Sequence, residues 1–353
     1  MINEDKNQLT QPLRQHKIFN NWEVVAEGWY PVMPANRLKR SEVKSLLICG
    51  QHLVFFRTES NKLTALDGYC PHMGVDLGIG KVQGENLRCF FHHWEFNQQG
   101  DCVKIPCQET IPKKARIKHY PCLEKYGMIW VHPNTENPSP LLEIPKLAQQ
   151  EVSWQLDRPY FRKCHHHITM VNGIDPQHLK TVHDLNLSMN LSIKEDDSGQ
   201  IEIDLQGKVP TDNLKDRLMK TILGPEYSYS MNYADGTLAG LTIMKDVKLF
   251  GRFDVLPTLH MFFAYRPESR GKTFVQPIYV TKKRRGLVGA LTSQALLAMT
   301  KLAFKFLQGE DGEVYENIRF NSENLLPIDG PIARYIGYIN RLKPSLWSKH
   351  DAL

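Results

Sequence analysis

Read for alternation of apolar and polar positions, the chain changes character twice. Residues 1–20 are polar and Gln-rich, with no period that could bury a face, and read as a loose arm. From Trp22 onward, short runs predict strands: Trp22 to Val32, Lys44 to Cys49, His52 to Arg57, Leu63 to Leu66, Leu87 to Phe96, Cys102 to Ile105 and Met128 to His132. Gly50-Gln51 and the Asn97 to Asp101 segment supply hairpin turns. The pattern predicts an all-β domain over 21–135 and a Pro-containing linker over 136–150. From 151 to 347 it becomes mixed. Tyr160 to Met170 reads as a strand entering a helix from about Pro176 to Asn186, and five strands follow at Ile201 to Val209, Tyr227 to Tyr233, Leu238 to Lys245, Leu259 to Tyr265 and Thr273 to Thr281. Helices around 287–307, 310–319 and 331–341 close the chain. The fold class is therefore α+β, with an antiparallel sheet packed against late helices in the second domain.

Composition narrows the class. With 353 residues, 41% of them hydrophobic, two domains can close cores without disulfide staples. Seven Cys beside 14 His is the unusual balance, and it points to metal chemistry in a reducing compartment, the cytoplasm. The mixed-charge start, Met1 to Lys6, does not resemble a signal peptide. The most apolar stretch, Gly286 to Leu307, is interrupted by Thr292, Ser293, Gln294, Thr300, Lys301 and Lys305, so it reads as one buried or interfacial helix rather than a membrane span. The net charge of +6 is modest, and no nucleic-acid partner is expected. Lys282-Lys283-Arg284-Arg285 is the one cationic block. It reads either as a solvated turn or as a docking point for an acidic electron donor or an anionic surface, which leaves peripheral membrane contact open.

Two constellations carry chemistry. The first is Cys70-Pro71-His72 and, after 16 residues, Cys89-Phe90-Phe91-His92. A structural Cys2His2 zinc site usually pairs like residues within each arm, whereas here each arm holds one Cys and one His. The mixed arm suits a two-iron cluster in which both thiolates bind one iron and both imidazoles the other. The spacing resembles the Rieske [2Fe-2S] motif. That resemblance implies Cys70 and Cys89 on the buried iron, His72 and His92 on the outer one, and a turn and apolar cover from Pro71, Gly74, Phe90 and Phe91. Gly78, Gly80 and Gly84 miss the dinucleotide spacing and read as loop glycines, with His93 and Trp94 shaping the hairpin. Cys102 and Cys107 lack the third Cys of a plant-type ferredoxin, and Cys49, Cys122 and Cys164 read as small core residues.

The second constellation is Asn172-x2-Asp175-x2-His178-x4-His183. Two imidazoles with one carboxylate leave open positions on a non-haem Fe(II). On a straight helix, residues five apart diverge by about 140°, so His178 and His183 need a bend or a helix end to share a metal. On a strand, His165, His166 and His167 would point to alternating faces and could not converge.

Following the cluster motif, this second pattern resembles the catalytic subunit of the Rieske non-haem iron oxygenases, nearest to the 3-ketosteroid 9α-hydroxylase and cholesterol desaturase-like branch. The resemblance implies His178 and His183 as ligands of a mononuclear Fe(II), and Asp175 as a carboxylate bridging to the neighbouring protomer's His92 in a head-to-tail homotrimer. Asp311, four residues before Tyr315, becomes the third ligand, with Glu310 and Glu313 as alternatives. Asn172 either bonds near the iron or caps the helix. A separate NAD(P)H-dependent reductase or ferredoxin, O2 and a small, hydrophobic cyclic substrate complete the expectation. The alternatives are a Rieske electron carrier without oxygenase activity and a zinc-stabilised ligand-binding module. Phe250, Phe262, Phe263, Met231, Met244 and Met261 could line an apolar pocket or serve as ordinary core.

Overall fold

The computed structural model describes residues 16–134, 138–182, 188–195, 199–208, 217, 220–221, 226–245 and 257–349. Among the described residues all strand pairings are antiparallel. The first domain stacks three small sheets: β1 (Tyr30–Pro34), β11 (Met128–Val131) and β10 (Cys122–Lys125) form one, and β2 (Val43–Ile48), β3 (Gln51–Arg57), β4 (Leu63–Asp67) and β9 (His119–Tyr120) form the second. The third, β5 (Lys81–Gln83), β6 (Asn86–Arg88), β7 (Glu95–Phe96) and β8 (Cys102–Lys104), carries the second ligand arm. In the β2–β3 hairpin Ile48 pairs with Gln51, so the turn is Cys49-Gly50, one residue earlier than expected. Both turn residues have positive φ, 49° and 83°, the signature of a hairpin turn whose twist matches its strands. The expected strand Leu87 to Phe96 is broken between β6 and β7, because its middle is the ligand turn itself.

The second domain is one eight-stranded sheet ordered β12 (Val152–Leu156), β19 (Lys272–Lys282), β18 (Leu259–Ser269), β17 (Leu238–Lys245), β16 (Glu226–Ala234), β15 (Ile201–Lys208) and β14 (Ser188–Glu195), with β13 (Tyr160–Arg162) also on β19. The expected strands fall within it; β12 and β14 were not foreseen. Two short helices, α1 (His166–Asn172) and α2 (Pro176–Thr181), cross one side. The two helices expected at 287–307 and 310–319 are a single element, α3 (Gly286–Asn317), because nothing between them breaks the hydrogen-bond ladder; Gly309 and Gly312 cost propensity but do not interrupt it. α4 (Gly330–Arg341) closes the layer.

Packing corrects three sequence expectations. The end of the polar arm is core: Ile18 and Phe19 are buried among Val171, Tyr335 and Ile339 of the second domain, and their amides donate to Asn340 Oδ1 at 3.0 and 3.1 Å. Burying side chains of that size contributes about 1.5–3 kcal/mol each. At the other end Trp347 fills the core of the first domain beside Tyr30 and Tyr120, so the chain ends are exchanged between domains. Leu141, Leu142 and Ile144 of the linker are buried with Trp29, Trp130 and Phe262, which places Phe262 in the interdomain core rather than in a pocket. Met231 packs beneath Gly173, and Met261 and Phe263 meet Leu297 and Phe304 of α3, while Phe250 lies outside the described residues.

Candidate iron sites

The first ligand arm is a loop closed on itself. Tyr69 bridges to Asp76, the Cys70 amide donates to Val75 O at 2.9 Å, and the Gly74 amide returns to Cys70 O at 2.9 Å, with Gly74 at φ +73°. Asp76 pins the loop from outside: Oδ1 accepts from the Gly78 amide at 2.7 Å and Oδ2 from Ser45 Oγ at 3.0 Å. The second arm is closed by the Cys89 amide donating to Trp94 O at 2.8 Å, and His93 turns the chain at φ +57°.

These loops sort the four ligands by type. Cys70 and Cys89 are buried, 4% and 2% exposed, whereas His72 and His92 lie exposed at the tip. The two imidazoles meet each other, Nδ1 to Nδ1 at 3.1 Å. Burial pushes the Cys70 thiol up to about 12, with the neighbouring Cys89 thiol adding to the shift, so the two sulfurs also form a pair. No three of the four ligand atoms lie within 4.8 Å of one another, since among the described residues only His165, His166 and His167 form such a group. One tetrahedral ion needs all four ligands at 2.0–2.3 Å, hence mutually close. Like-paired ligands held apart as two pairs fit a cluster of two irons instead. Trp94 stacks on His72 at 4.6 Å and 8°, and Phe91 packs on His92 at 3.8 Å.

In the second domain, Asp175 caps α2, its Oδ1 accepting from the amides of Gln177 at 2.9 Å and His178 at 3.2 Å, with Pro176 at the first helical position. The described part of the helix runs to Thr181; His183 and the expected end at Asn186 lie outside the described residues. From 133 residues away α3 delivers Asp311, whose Oδ1 stands 2.8 Å from His178 Nε2. Both side chains are largely shielded, at 15% and 10% exposure. Asn172, the last residue of α1, donates from Nδ2 to Asp311 Oδ2 at 2.9 Å and lies 3.3 Å from His178 Nε2. Of its two anticipated roles it takes the one at the site, and Asp175 does the capping. Separations near 3 Å between an imidazole nitrogen and a carboxylate oxygen are those of two ligands about 2 Å from a common metal, so the donor set fits a mononuclear iron. Glu313 is exposed on the other side of the helix. Tyr315, one turn beyond Asp311, is buried, and burial together with the Asp311 carboxylate holds its hydroxyl well above the usual range. Ile318, expected on the same face, follows the helix end and is 38% exposed.

Two features escaped the sequence reading. Gln177 Nε2 donates to the buried Asp329 at 2.7 Å, tying α2 to the segment before α4, and no motif signals it. His165, His166 and His167 start a helix rather than lie on a strand, so the alternation argument fails. Their ligand atoms do converge within 4.8 Å and all three rings are buried. His167 Nδ1 accepts from the Asn20 amide at 3.2 Å, and His165 Nδ1 from the His167 amide at 3.3 Å. Desolvation lowers all three, His166 to about 3, which keeps them neutral packing groups at neutral pH.

Residues 28–121 match the Rieske [2Fe-2S] domain family. The chain is 37% identical to a cholesterol 7-desaturase of Ciona intestinalis over 166 residues, which are 45% of this chain and 35% of that protein. It is 30% identical over 164 residues to the oxygenase component of a 3-ketosteroid-9-alpha-monooxygenase of Rhodococcus rhodochrous, 45% of this chain and 43% of that one. The matched segment thus spans less than half the length of either relative. Solved structures cover nearly the whole chain. A chain from the reduced complex between oxygenase and ferredoxin in carbazole 1,9a-dioxygenase superposes with a TM-score of 0.67 at 16% identity, covering 94% of this chain and 92% of that one. Dicamba monooxygenase superposes at 0.64 and 17% identity, covering 89% and 96%. The chain therefore carries a Rieske [2Fe-2S] domain within residues 28–121, and across both of its domains it has the fold of the Rieske oxygenases.

Proposed function

We propose that this chain is the terminal oxygenase component of a Rieske-type system acting on a hydrophobic cyclic substrate. The observation that carries the reading is the meeting of His178 and Asp311, 2.8 Å apart and bridged by Asn172, in a chain that also holds paired Cys and paired His at the cluster tip. A pure electron carrier has no use for the second site. Cys70, Cys89, His72 and His92 hold the cluster; His178, Asp311 and His183 hold the mononuclear iron. Once bound, the cluster supplies electrons one at a time and the mononuclear iron supplies dioxygen chemistry. The protein's own part is positional. Asn172 fixes the carboxylate plane of Asp311 through Oδ2 and leaves Oδ1 toward His178, and the Asp175 cap sets where α2 presents His178.

The arrangement at the tip supports a head-to-tail homotrimer. His72 and His92 are exposed within a collar of Tyr69, Met73, Phe90 and Phe91, all more than half exposed, and such a patch suits a protein neighbour. Asp175 of that neighbour would receive the outer imidazole. Electrons come from a separate NAD(P)H-dependent reductase or a ferredoxin in the cytoplasm, where all seven cysteines stay as thiols or cluster ligands. The names of the matched relatives favour a sterol-like substrate.

Metal analysis of the purified protein tests the class: about three irons and two sulfides per chain are expected, and two irons would identify a carrier. Single turnover of the chemically reduced protein with sterols under isotopically labelled dioxygen tests the reaction. Labelled product is expected, and its absence across sterols and other apolar cyclic compounds would remove the substrate assignment.

A further inference from the structure

We propose that the first half of α3 is an in-plane membrane-docking surface that binds anionic lipid. α3 is apolar on two opposite faces. At about 100° per residue, Ser293, Leu296, Leu297, Thr300 and Phe304 fall on one side, all buried, with Leu297 and Phe304 packed on Met261 and Tyr279 of the sheet. Leu287, Val288, Leu291, Met299 and Leu302 fall within an arc of about 120° on the other. They are 80%, 77%, 62%, 44% and 65% exposed. A contiguous exposed stripe of this kind marks an interaction surface rather than ordinary surface scatter.

Charge names the occupant. Residues 282–309 contain six basic side chains, Lys282, Lys283, Arg284, Arg285, Lys301 and Lys305, and no acidic one. Four of them stand at the N-terminal mouth of the stripe, three of these four exposed. Lys283 shares an exposed ion pair with Glu151 at 3.3 Å, and Lys301 is paired with Asp157 at 2.8 Å. A second copy laid stripe to stripe on this helix would set cation against cation, since residues 282–309 hold no acidic side chain to answer them, whereas an anionic lipid surface answers both the apolar stripe and the basic block. The segment Gly286–Lys305 is long and apolar enough to cross a membrane, yet from Ser293 to Phe304 its buried face is held against β18 and β19, and the helix bears the iron-site carboxylate on its continuation. It therefore lies along the bilayer surface instead of traversing it. Asp311 sits about 30 Å along the helix from Leu291. Docking would thus fix the iron domain at the membrane face, where an apolar substrate partitions. The surface itself does not depend on the proposed reaction.

The experiment is flotation of the full, cluster-loaded protein with phosphatidylcholine vesicles containing or lacking about a third phosphatidylserine. Flotation with the anionic vesicles is expected, weakened at high salt. Replacing Lys282, Lys283, Arg284 and Arg285 by Glu, or making Leu287→Asp with Leu291→Asp, is expected to lower vesicle partitioning by at least about tenfold. The cluster absorbance should stay intact, since all but one of these positions are exposed. The proposal is overturned if the wild-type protein stays with the soluble fraction, or if the Leu variants float unchanged. It is equally overturned if those Leu variants dissociate an oligomer in sedimentation velocity, which would make a second copy the occupant. Iron content and turnover are read separately, so a failed flotation leaves the oxygenase reading standing, and a failed turnover leaves the docking surface standing.

Discussion

The cluster tip and the proposed mononuclear site each gather metal-ligating side chains, yet they are built in opposite ways. At the tip, two loops of a few residues each close through their own backbones, and the ligands of each arm stand two or three positions apart. At the second site His178 and Asp311 come from elements 133 residues apart and are brought together by the packing of α1, α2 and α3. The first geometry is local and survives any rearrangement that keeps the hairpins. The second is a property of the whole domain and is exposed to anything that shifts a helix.

Cys89→Ser should have the largest effect: loss of the whole cluster, seen as about two fewer irons per chain and disappearance of the visible absorbance. Retention of a Rieske spectrum would break the contrast at its local end. Asp311→Ala is next. Cluster absorbance should be unchanged while the mononuclear iron is lost and product formation falls by more than about 100-fold, the loss of a ligand exceeding that of its supporting partners. If that iron is kept, α3 does not supply the ligand. For Asn172→Ala we expect iron affinity about 10–100-fold weaker, measured by chelator competition, with the cluster's reduction potential unmoved.

Acid sharpens the comparison from the stability side. His166 titrates near 3 in the folded protein against 6.5 as its ordinary value, and burial lowers His165 and His167 as well. The unfolded chain therefore binds more protons below about pH 6.5, and the stabilisation present above that pH is lost as pH falls, by up to about 1.4 kcal/mol per pH unit for each such His. Urea midpoints at successive pH values should drop below pH 6.5, and more shallowly in His166→Gln; an unchanged slope would show that these rings are not neutral by burial. The smallest effect belongs to Gln177→Leu, which strips a donor from buried Asp329 and should cost about 1–3 kcal/mol in thermal unfolding.

Much of this was legible because spacing carries ligand chemistry directly. Cys70, His72, Cys89 and His92 are read from two short arms, and the Asp175-Pro176 start of α2 from capping rules. The misreadings share a cause. His165 to His167 fit a strand period over too short a window, whereas the chain begins α1 there and folds the rings together. The polar arm hid Ile18 and Phe19, whose burial depends on Asn340 and on a core formed more than 300 residues later.

The sequence by itself determined the two ligand motifs and the apolar run with its basic block, each written within a dozen or two consecutive residues, and the order of an all-β domain before a mixed one, written in the change of pattern along the chain. Only the tertiary structure decided that Asn172 reaches Asp311, that Asp311 rather than Glu313 faces His178, that the chain ends are exchanged between the two cores, and that α3 buries one apolar face and presents the other. The physical reason is common to all four. Local periodicity fixes which side of an element a residue occupies, but what lies opposite that side is set by elements the sequence places far away.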